Sequence, residues 1–544
     1  MKLSFRLLLV ILFIHIICVL PLINPGIPSN HDAQLHTARL AAYYKAFEDG
    51  QVVPRWAADL NYRYGTPLFI FYAPLSGYLG SFFHWLGASF EVSYKILIAG
   101  AFVLAPVTFY LWMLHLFPPP VAFISALFYG LAPYHFLDLY VRGAISELMF
   151  LAIVPLLFLA IERVRKLVSL PTILFAGVIY GILIISQNIM ALIFSVVALS
   201  YSLIRLSLDR KTIMYLIVIF FTGLSLSAFY WIPAFVEQKY THSQLFIAKK
   251  YTEHFPSPFQ LVISPWGYGT DVRKPGGLSP QIGPLYTVIA LIGLFLLRKI
   301  IKTYKRLTYW ALGVLGLAIF FSLRFSSIFW NIIPFMQKFE FPWRFTAVSS
   351  FAIAVISAAV FFTLKHKIIH SVAIIFLLLS SITFIASQPF ETNSDSYYSS
   401  YGSSTDFGAV TPVWTAGDPY ENPKHPVEII GGIGNISDYR RLATRHTFRV
   451  NAQTDMSILD NTLYFPGWQA RIDGTKTPIE FQNSNHRGLI TLNVPQGTHA
   501  IEVSFHDSPV RFVANIISIA TIVVSLFSYI LYKWIKLKGV TSLL

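Results

Sequence analysis

Charge is scarce in this chain. Only 12% of its 544 residues are Asp, Glu, Lys or Arg, about half the share of a soluble domain. A water-soluble globule is excluded on that ground. Cysteine is nearly missing. The one residue, Cys18, lies inside an apolar stretch, so no disulfide framework can hold an external region and no Cys-rich zinc motif exists. Acidic residues are fewer than basic ones, 26 against 41, for a formal net charge of +15. That excess does not imply nucleic acid, because it collects in short turns between apolar segments, as the positive-inside rule requires. Also missing are a Gly-rich nucleotide loop, a Walker sequence and an HExxH motif. The turns assigned below to the cytoplasm are too short for a nucleotide-sugar site. No repeat of fixed period is visible.

What the chain has is hydrophobic length. Apolar residues make up 55% of it, in runs of about 20 that match a bilayer. Spans are expected near 5–23, 92–116, 119–137, 147–161, 171–188, 190–206, 212–236, 280–297, 308–322, 345–364, 368–387 and 511–532. The first lacks a small-residue cleavage site and reads as a retained anchor. Lys2 and Arg6 hold its start inside. Alternate turns then carry Arg163, Arg165 and Lys166; Arg205, Arg210 and Lys211; Arg298 to Arg306; Lys365 and Lys367; and Lys533, Lys536 and Lys538. This fixes a multi-pass plasma (inner) membrane protein with both termini cytoplasmic. Residues 67–87 are apolar enough to span, but spanning would reverse every later turn. They read instead as an interfacial or re-entrant helix. The expected fold is an all-α polytopic bundle of about 12 transmembrane helices plus an extracytoplasmic β-sandwich-like domain. The boundaries are 1–387 for the bundle, with first external loop 24–90; 388–510 for the β-rich domain; and 511–544 for the last span and basic tail.

The 388–510 segment changes composition. Ile501, Val503 and Phe505 alternate with polar residues, and Leu489–Val494 does likewise. Asp473-Gly474 is a hairpin signal. The stretch 388–426 is loop-like, a linker or a flap over a membrane-surface site.

Charges that persist beside a membrane are costly and mark candidate sites. Asp32 opens the first external loop, in Ser29-Asn30-His31-Asp32. It precedes a helix expected over 33–49, whose dipole favours its ionised form. As an ionised carboxylate it can take a proton from a hydroxyl or hold a divalent metal. Helix capping is the plain alternative. Arg55 and Asp59 follow, as site residues or as ordinary salt bridges. Asp138, Arg142 and Glu147 crowd a short turn between spans, suited to a metal or a phosphate, or to mutual pairing and capping. Glu340 and Arg344 enter a later span. Arg344 can grip phosphate or merely snorkel.

Several short motifs resemble known membrane proteins. A span, an acid-led external loop, an interfacial helix and a polytopic bundle resemble the GT-C superfamily. His31-Asp32, Arg55-Trp56, Tyr64-Gly65-x-Pro67-Leu68-Phe69, Phe71-Tyr72-Ala73-Pro74-Leu75, Arg142-Gly143-Ala144-x-x-Glu147 and Phe341-Pro342-Trp343-Arg344-Phe345 resemble bacterial proteins labelled "6-pyruvoyl-tetrahydropterin synthase-related". Phe465-Pro466-Gly467-Trp468 and Pro495-x-Gly497-x-His499 are similar to the end of YfhO-type proteins. The label does not bring pterin chemistry, whose zinc histidines need a compact fold outside lipid. The resemblance implies sugar transfer from a polyprenyl-phosphate-linked donor to a cell-envelope glycan or lipid acceptor on the outer face, in contact with membrane lipid. It makes Asp32 the catalytic acid of the first loop. His31, Arg55, Asp59, Arg142, Glu340 and Arg344 are then substrate-binding residues, and Asp138 and Glu147 the second-loop acids with a divalent metal. His31 stands where some GT-C enzymes carry a second acid. The alternatives are a transporter or flippase of lipid-linked intermediates, which needs broken helices at the midplane, and a non-catalytic membrane protein.

Overall fold

The structure is a computed structural model that describes residues 2–206, 209–243, 245, 250–385, 388–415, 419 and 421–537. Lys538 of the basic tail lies outside these. The chain is mostly helical, with a β-rich region near its C-terminal end. Among the described residues, six helices are long and apolar enough to cross a membrane: Lys2–Ile23, Phe90–Met113, Ile145–Lys166, Asn188–Arg205, Pro342–Thr363 and Pro509–Trp534. In lipid the backbone must satisfy its own hydrogen bonds, which favours long helices over any open alternative.

Three expected spans are not straight. Pro119–Gly130 and Pro133–Arg142 form a pair bent by 43°, Arg210–Leu226 and Ala228–Tyr240 by 72°, and Lys302–Ser322 and Arg324–Ile332 by 80°. The first break falls before Pro133, which lacks the N–H that a continuing helix needs. At the second, the Ser227 hydroxyl bonds back to Gly223 O at 2.8 Å, a local competitor for the helix ladder. Three further apolar helices, Leu170–Ser186, Pro284–Arg298 and Lys367–Ile382, are shorter. Twelve uninterrupted spans are therefore not what the chain forms.

Of those six, the helix containing Phe345–Thr363 is the most enclosed, because Ala347, Ser350, Ala354 and Ala358 let neighbours approach closely. Its Phe351 stacks on Trp112 of the Phe90–Met113 helix, ring centres 5.4 Å apart. Residues 67–87 do not form one helix. Leu68–Phe71 and Leu75–Trp85 are separated by a bend ending at Pro74.

Strand β1 (Ile27–Pro28) pairs antiparallel with β2 (Phe390–Glu391). The β-rich region follows as β3 (Val427–Gly431), β4 (Gly434–Leu442), β5 (Arg445–Ala452), β6 (Met456–Leu463), β7 (Trp468–Ile472), β8 (Thr475–Thr477), β9 (Leu489–Val494) and β10 (Gly497–Phe505). One sheet runs β4-β5-β10-β7-β8 and the other β3-β6-β9. Their inner faces share one core, with Phe448, Val450, Ile501 and Val503 from the first and Ile458, Ile490 and Leu492 from the second. Asp473 and Gly474, both at positive φ, turn β7 into β8 with Ile472 opposite Thr475. This is the geometry that Asp-Gly supplies cheaply.

Candidate functional site

The first loop is fastened to the end of the first bent pair, the turn at 137–143. His31 N donates to Val141 O at 3.1 Å and Asp32 N to Arg142 O at 2.9 Å. Asp32 is the N-cap residue of helix Ala33–Glu48, but its side chain makes no capping bond. Asn30 does that work, its Oδ1 accepting from Ala33 N at 2.9 Å. Among the described residues the Asp32 carboxylate has no hydrogen-bond or ion-pair partner. It faces a cavity of about 750 Å³.

Six of the residues singled out from sequence line that cavity together: His31, Asp32, Arg142, Glu147, Glu340 and Arg344. The turn that supplies Arg142 is a π-helical segment, Leu137–Arg142, closed by Gly143 in the left-handed region. Such wide turns recur at functional sites. Gly143 is obligatory for space as well, since a Cβ there would lie 2.4 Å from Asn30 Oδ1. The wide turn brings three charges to one point. Arg142 Nη1 donates to Asp138 Oδ1 at 2.5 Å and to Glu147 Oε2 at 3.0 Å. Its guanidinium lies 4.9 Å from the Trp343 ring centre, and the Tyr134 hydroxyl donates to Glu147 Oε1. Arg344 Nε is 3.6 Å from Glu147 Oε2, an ion pair but too long for a hydrogen bond. Its Nη1 donates to Phe339 O at 2.8 Å and sits 3.8 Å from Glu340. Two arginines and Glu147 thus form a buried wall of the chamber that also holds the free Asp32.

Other expected residues lie elsewhere. Asp138 is fully buried behind the wall, with Oδ2 unpartnered. It touches the site only through Arg142. As a metal pair, Asp138 and Glu147 fit poorly because one guanidinium nitrogen already bridges them. Among the described residues no three His, Cys, Asp or Glu side chains converge to hold a metal ion. Arg55 does not line the cavity. It is buried against the C-terminal segment, with Nη2 donating to Asn515 Oδ1 at 3.0 Å and Nε 3.8 Å from Asp507. Asp59 is also outside the lining and half-buried; its backbone carbonyl accepts from Arg63 N at 3.2 Å.

His36, Arg39 and Tyr72 line the cavity too, and none of them was expected as a site residue. The signal was available: His36 is four residues after Asp32, on the same helix face. The Tyr72 hydroxyl lies 2.8 Å from His36 Nδ1 and 3.2 Å from Ser146 Oγ. Arg39 stacks over Tyr72 at 4.4 Å. Burial, reinforced by the Arg39 and Arg142 charges, holds the His36 imidazole well below its ordinary pKa of 6.5. Another side of the cavity is the segment that starts at β2. It is tied to the first loop by Ser29 Oγ to Glu391 at 2.7 Å and by Arg39 Nε to Thr405 Oγ1 at 3.1 Å. Asp406 and Phe407 reach the cavity. An apolar groove of about 310 Å³ adjoins it, walled by Ile184, Leu192, Leu224, Trp231 and Phe235. It shares Phe71, Asn188, Ile189, Ser243 and Glu340 with the polar chamber.

Residues 69–391 match the model of a family described as "6-pyruvoyl-tetrahydropterin synthase related domain; membrane protein". Asp32 and the sandwich lie outside that match. No curated protein matches the chain by sequence. Among solved structures, the arabinofuranosyltransferase AftD from Mycobacteria is similar over 70% of this chain at 14% identity and a TM-score of 0.48. The oligosaccharyltransferase of Archaeoglobus fulgidus is similar over 72% at 15% identity and a TM-score of 0.42. The same enzyme, AglB, in complex with an inhibitory peptide and a dolichol-phosphate gives 73%, 13% and 0.40. The chain spans 26% of the length of AftD and 56% of that of the oligosaccharyltransferase.

Proposed function

The chain belongs to the 6-pyruvoyl-tetrahydropterin synthase related family of membrane proteins, and from that premise we propose that it is a membrane glycosyltransferase acting on a lipid-linked sugar. One observation carries the reading: a polar chamber lined by a free carboxylate and by buried arginines shares part of its lining with an apolar groove. An amphiphile with an anionic head and a hydrocarbon tail fits that pairing of surfaces. The donor is a polyprenyl-phosphate-linked sugar, its tail in the groove and its phosphate toward Arg344 and Arg142. The acceptor is a cell-envelope glycan or lipid carrying a free hydroxyl.

In this reading Asp32 accepts the proton of the acceptor hydroxyl as its oxygen bonds to the anomeric carbon. The bond from that carbon to the phosphate oxygen breaks. The electron pair leaves with the polyprenyl phosphate, whose charge the guanidiniums offset in a poorly hydrated site. Glu147 fixes the guanidiniums in place. The pattern of basic turns puts both termini in the cytoplasm and the sandwich and cavity outside the plasma membrane, with bent pairs and shorter helices completing the twelve crossings. The three bent pairs give a second reading, flipping of a lipid-linked intermediate. The gathering of charge in one chamber, rather than at the helix breaks, favours transfer.

The test is a transfer assay with purified protein and a panel of polyprenyl-phosphate sugars. Asp32→Asn should lose about 10²–10⁴-fold in rate while keeping its unfolding midpoint, since the carboxylate holds nothing in place. Full activity of that variant at equal protein level refutes the assignment. Movement of labelled donor between leaflets without any product selects the flippase.

A further inference from the structure

The outer face of the five-stranded sheet carries a second, unrelated constellation. Register aligns Arg440, Thr447, Glu502 and Arg471 in one row across β4, β5, β10 and β7. In the next row Arg449 stands between Ser437 and Ala500. Side chains directly opposite on paired strands share a face. The small Thr447 and Ala500 therefore form a floor between long arginines, and the result is a trough of about 500 Å³. A bulge between Ser437 and Arg440, with Asp438 at φ +54°, bends the edge strand at its rim. Arg445 is taken by Glu502 at 2.7 Å, and Arg449 sits 3.7 Å from Asp438. Arg440 and Arg471 face no carboxylate within ion-pair distance among the described residues, and both are exposed.

We infer that this trough binds an anionic glycan strand, with Arg440, Arg449 and Arg471 taking its carboxylate or phosphate groups. Guanidinium forks suit both anions. A trough whose lining crosses four strands suits a polymer better than a small molecule. Position argues against the bilayer's own headgroups. Ala500 is five residues before Phe505, roughly 17 Å along β10 at about 3.4 Å per residue, and the last helix starts only at Pro509. The choice of a glycan over another polyanion rests on the orientation proposed above, with the sandwich outside the cell.

The test uses the full chain in detergent micelles, with polygalacturonate as the anionic glycan and dextran as the neutral one. The chain should bind polygalacturonate and not dextran, more weakly as salt rises. Arg440→Gln combined with Arg471→Gln should weaken binding at least about tenfold, the scale of losing charge-assisted contacts. Lys424→Gln, an exposed cation outside the trough, should change it less than about twofold on the same scale. Unchanged binding by the double variant overturns the proposal. So does a double variant that loses binding to phosphatidylglycerol vesicles but not to polygalacturonate. Asp32→Asn should bind polygalacturonate as the parent does, so failure of the transfer reading and failure of this one are read separately.

Discussion

Arg142→Met is the most informative perturbation of the bundle. Arg142 Nη1 is the only hydrogen-bond donor among the described residues to the carboxylate of Asp138, which is 0% exposed, and it also holds Glu147, 2% exposed. Removing one partner of a buried ion pair costs roughly 3–5 kcal/mol, because the remaining charge stays uncompensated. Here two carboxylates lose their shared cation. Glu147 keeps Arg344 at 3.6 Å and the Tyr134 hydroxyl, so Asp138 bears most of the loss. The expected destabilisation is about 3–5 kcal/mol for Arg142→Met. Arg142→Lys should cost nearly as much, since one ammonium on a thinner stem cannot keep the bridge and also stack on Trp343. Adding Asp138→Asn to Arg142→Met should recover part of the loss, because the double variant no longer buries a lone charge there. The assay is reversible denaturant unfolding in mild detergent, followed by circular dichroism and read as a double-mutant cycle. An Arg142→Met midpoint within about 1 kcal/mol of the parent, a surface-like value, refutes the argument. A double variant no more stable than the single refutes its electrostatic part.

Other consequences are as direct. Gly143→Ala combines positive φ with a clash on Asn30, and should destabilise by about 1–3 kcal/mol while loosening the loop that carries Asp32; the unfolding midpoint and transfer rate report both. His36 has a folded pKa below its unfolded 6.5, so the unfolded chain binds more protons at acid pH. Its share of stability is intact well above pH 6.5 and falls as pH drops below it. His36→Gln should flatten that acid limb of midpoint against pH between 5 and 8, and an unchanged limb counts against the assignment. In the sandwich, the hydrogen bond that His499 donates to Asp473 raises the His499 pKa above 6.5 and lowers that of Asp473. The pair forms between those two limits and its contribution is lost as pH rises through the His499 value. An NMR titration should show the His499 pKa falling in Asp473→Asn, and no change dismisses the pairing.

The parts of the site readable from sequence were those where a charge interrupts an apolar run. Asp32, Arg142, Glu147, Glu340 and Arg344 stand out because burial of charge needs a reason, and they line one cavity. Asp138 looked equivalent to Glu147. A π turn, which no residue pattern announces, turned it inward under Arg142. Arg55 and Asp59 looked like first-loop site residues because their neighbours in sequence are. Arg55 instead meets Asn515 and Asp507, near the other end of the chain, a partner that local reading cannot supply. The apolar periods located the helices but not their bends, since Ser227 and Pro133 act through hydrogen bonds lost or diverted. Alternation and Asp473-Gly474 made β7, β8, β9 and β10 legible. The order of strands across the sheets was not, because pairing partners are set by distant register.

The pairing of β1 with β2 has a bearing on how the protein is made. The carboxylate loop leaves the ribosome before its facing wall, from Glu391 to Phe407, and the helices from Ala33–Glu48 to Lys367–Ile382 are synthesised between the two. Until then the chamber lacks a side. A nascent chain would therefore leave its acid uncovered on that side until the late segment docks.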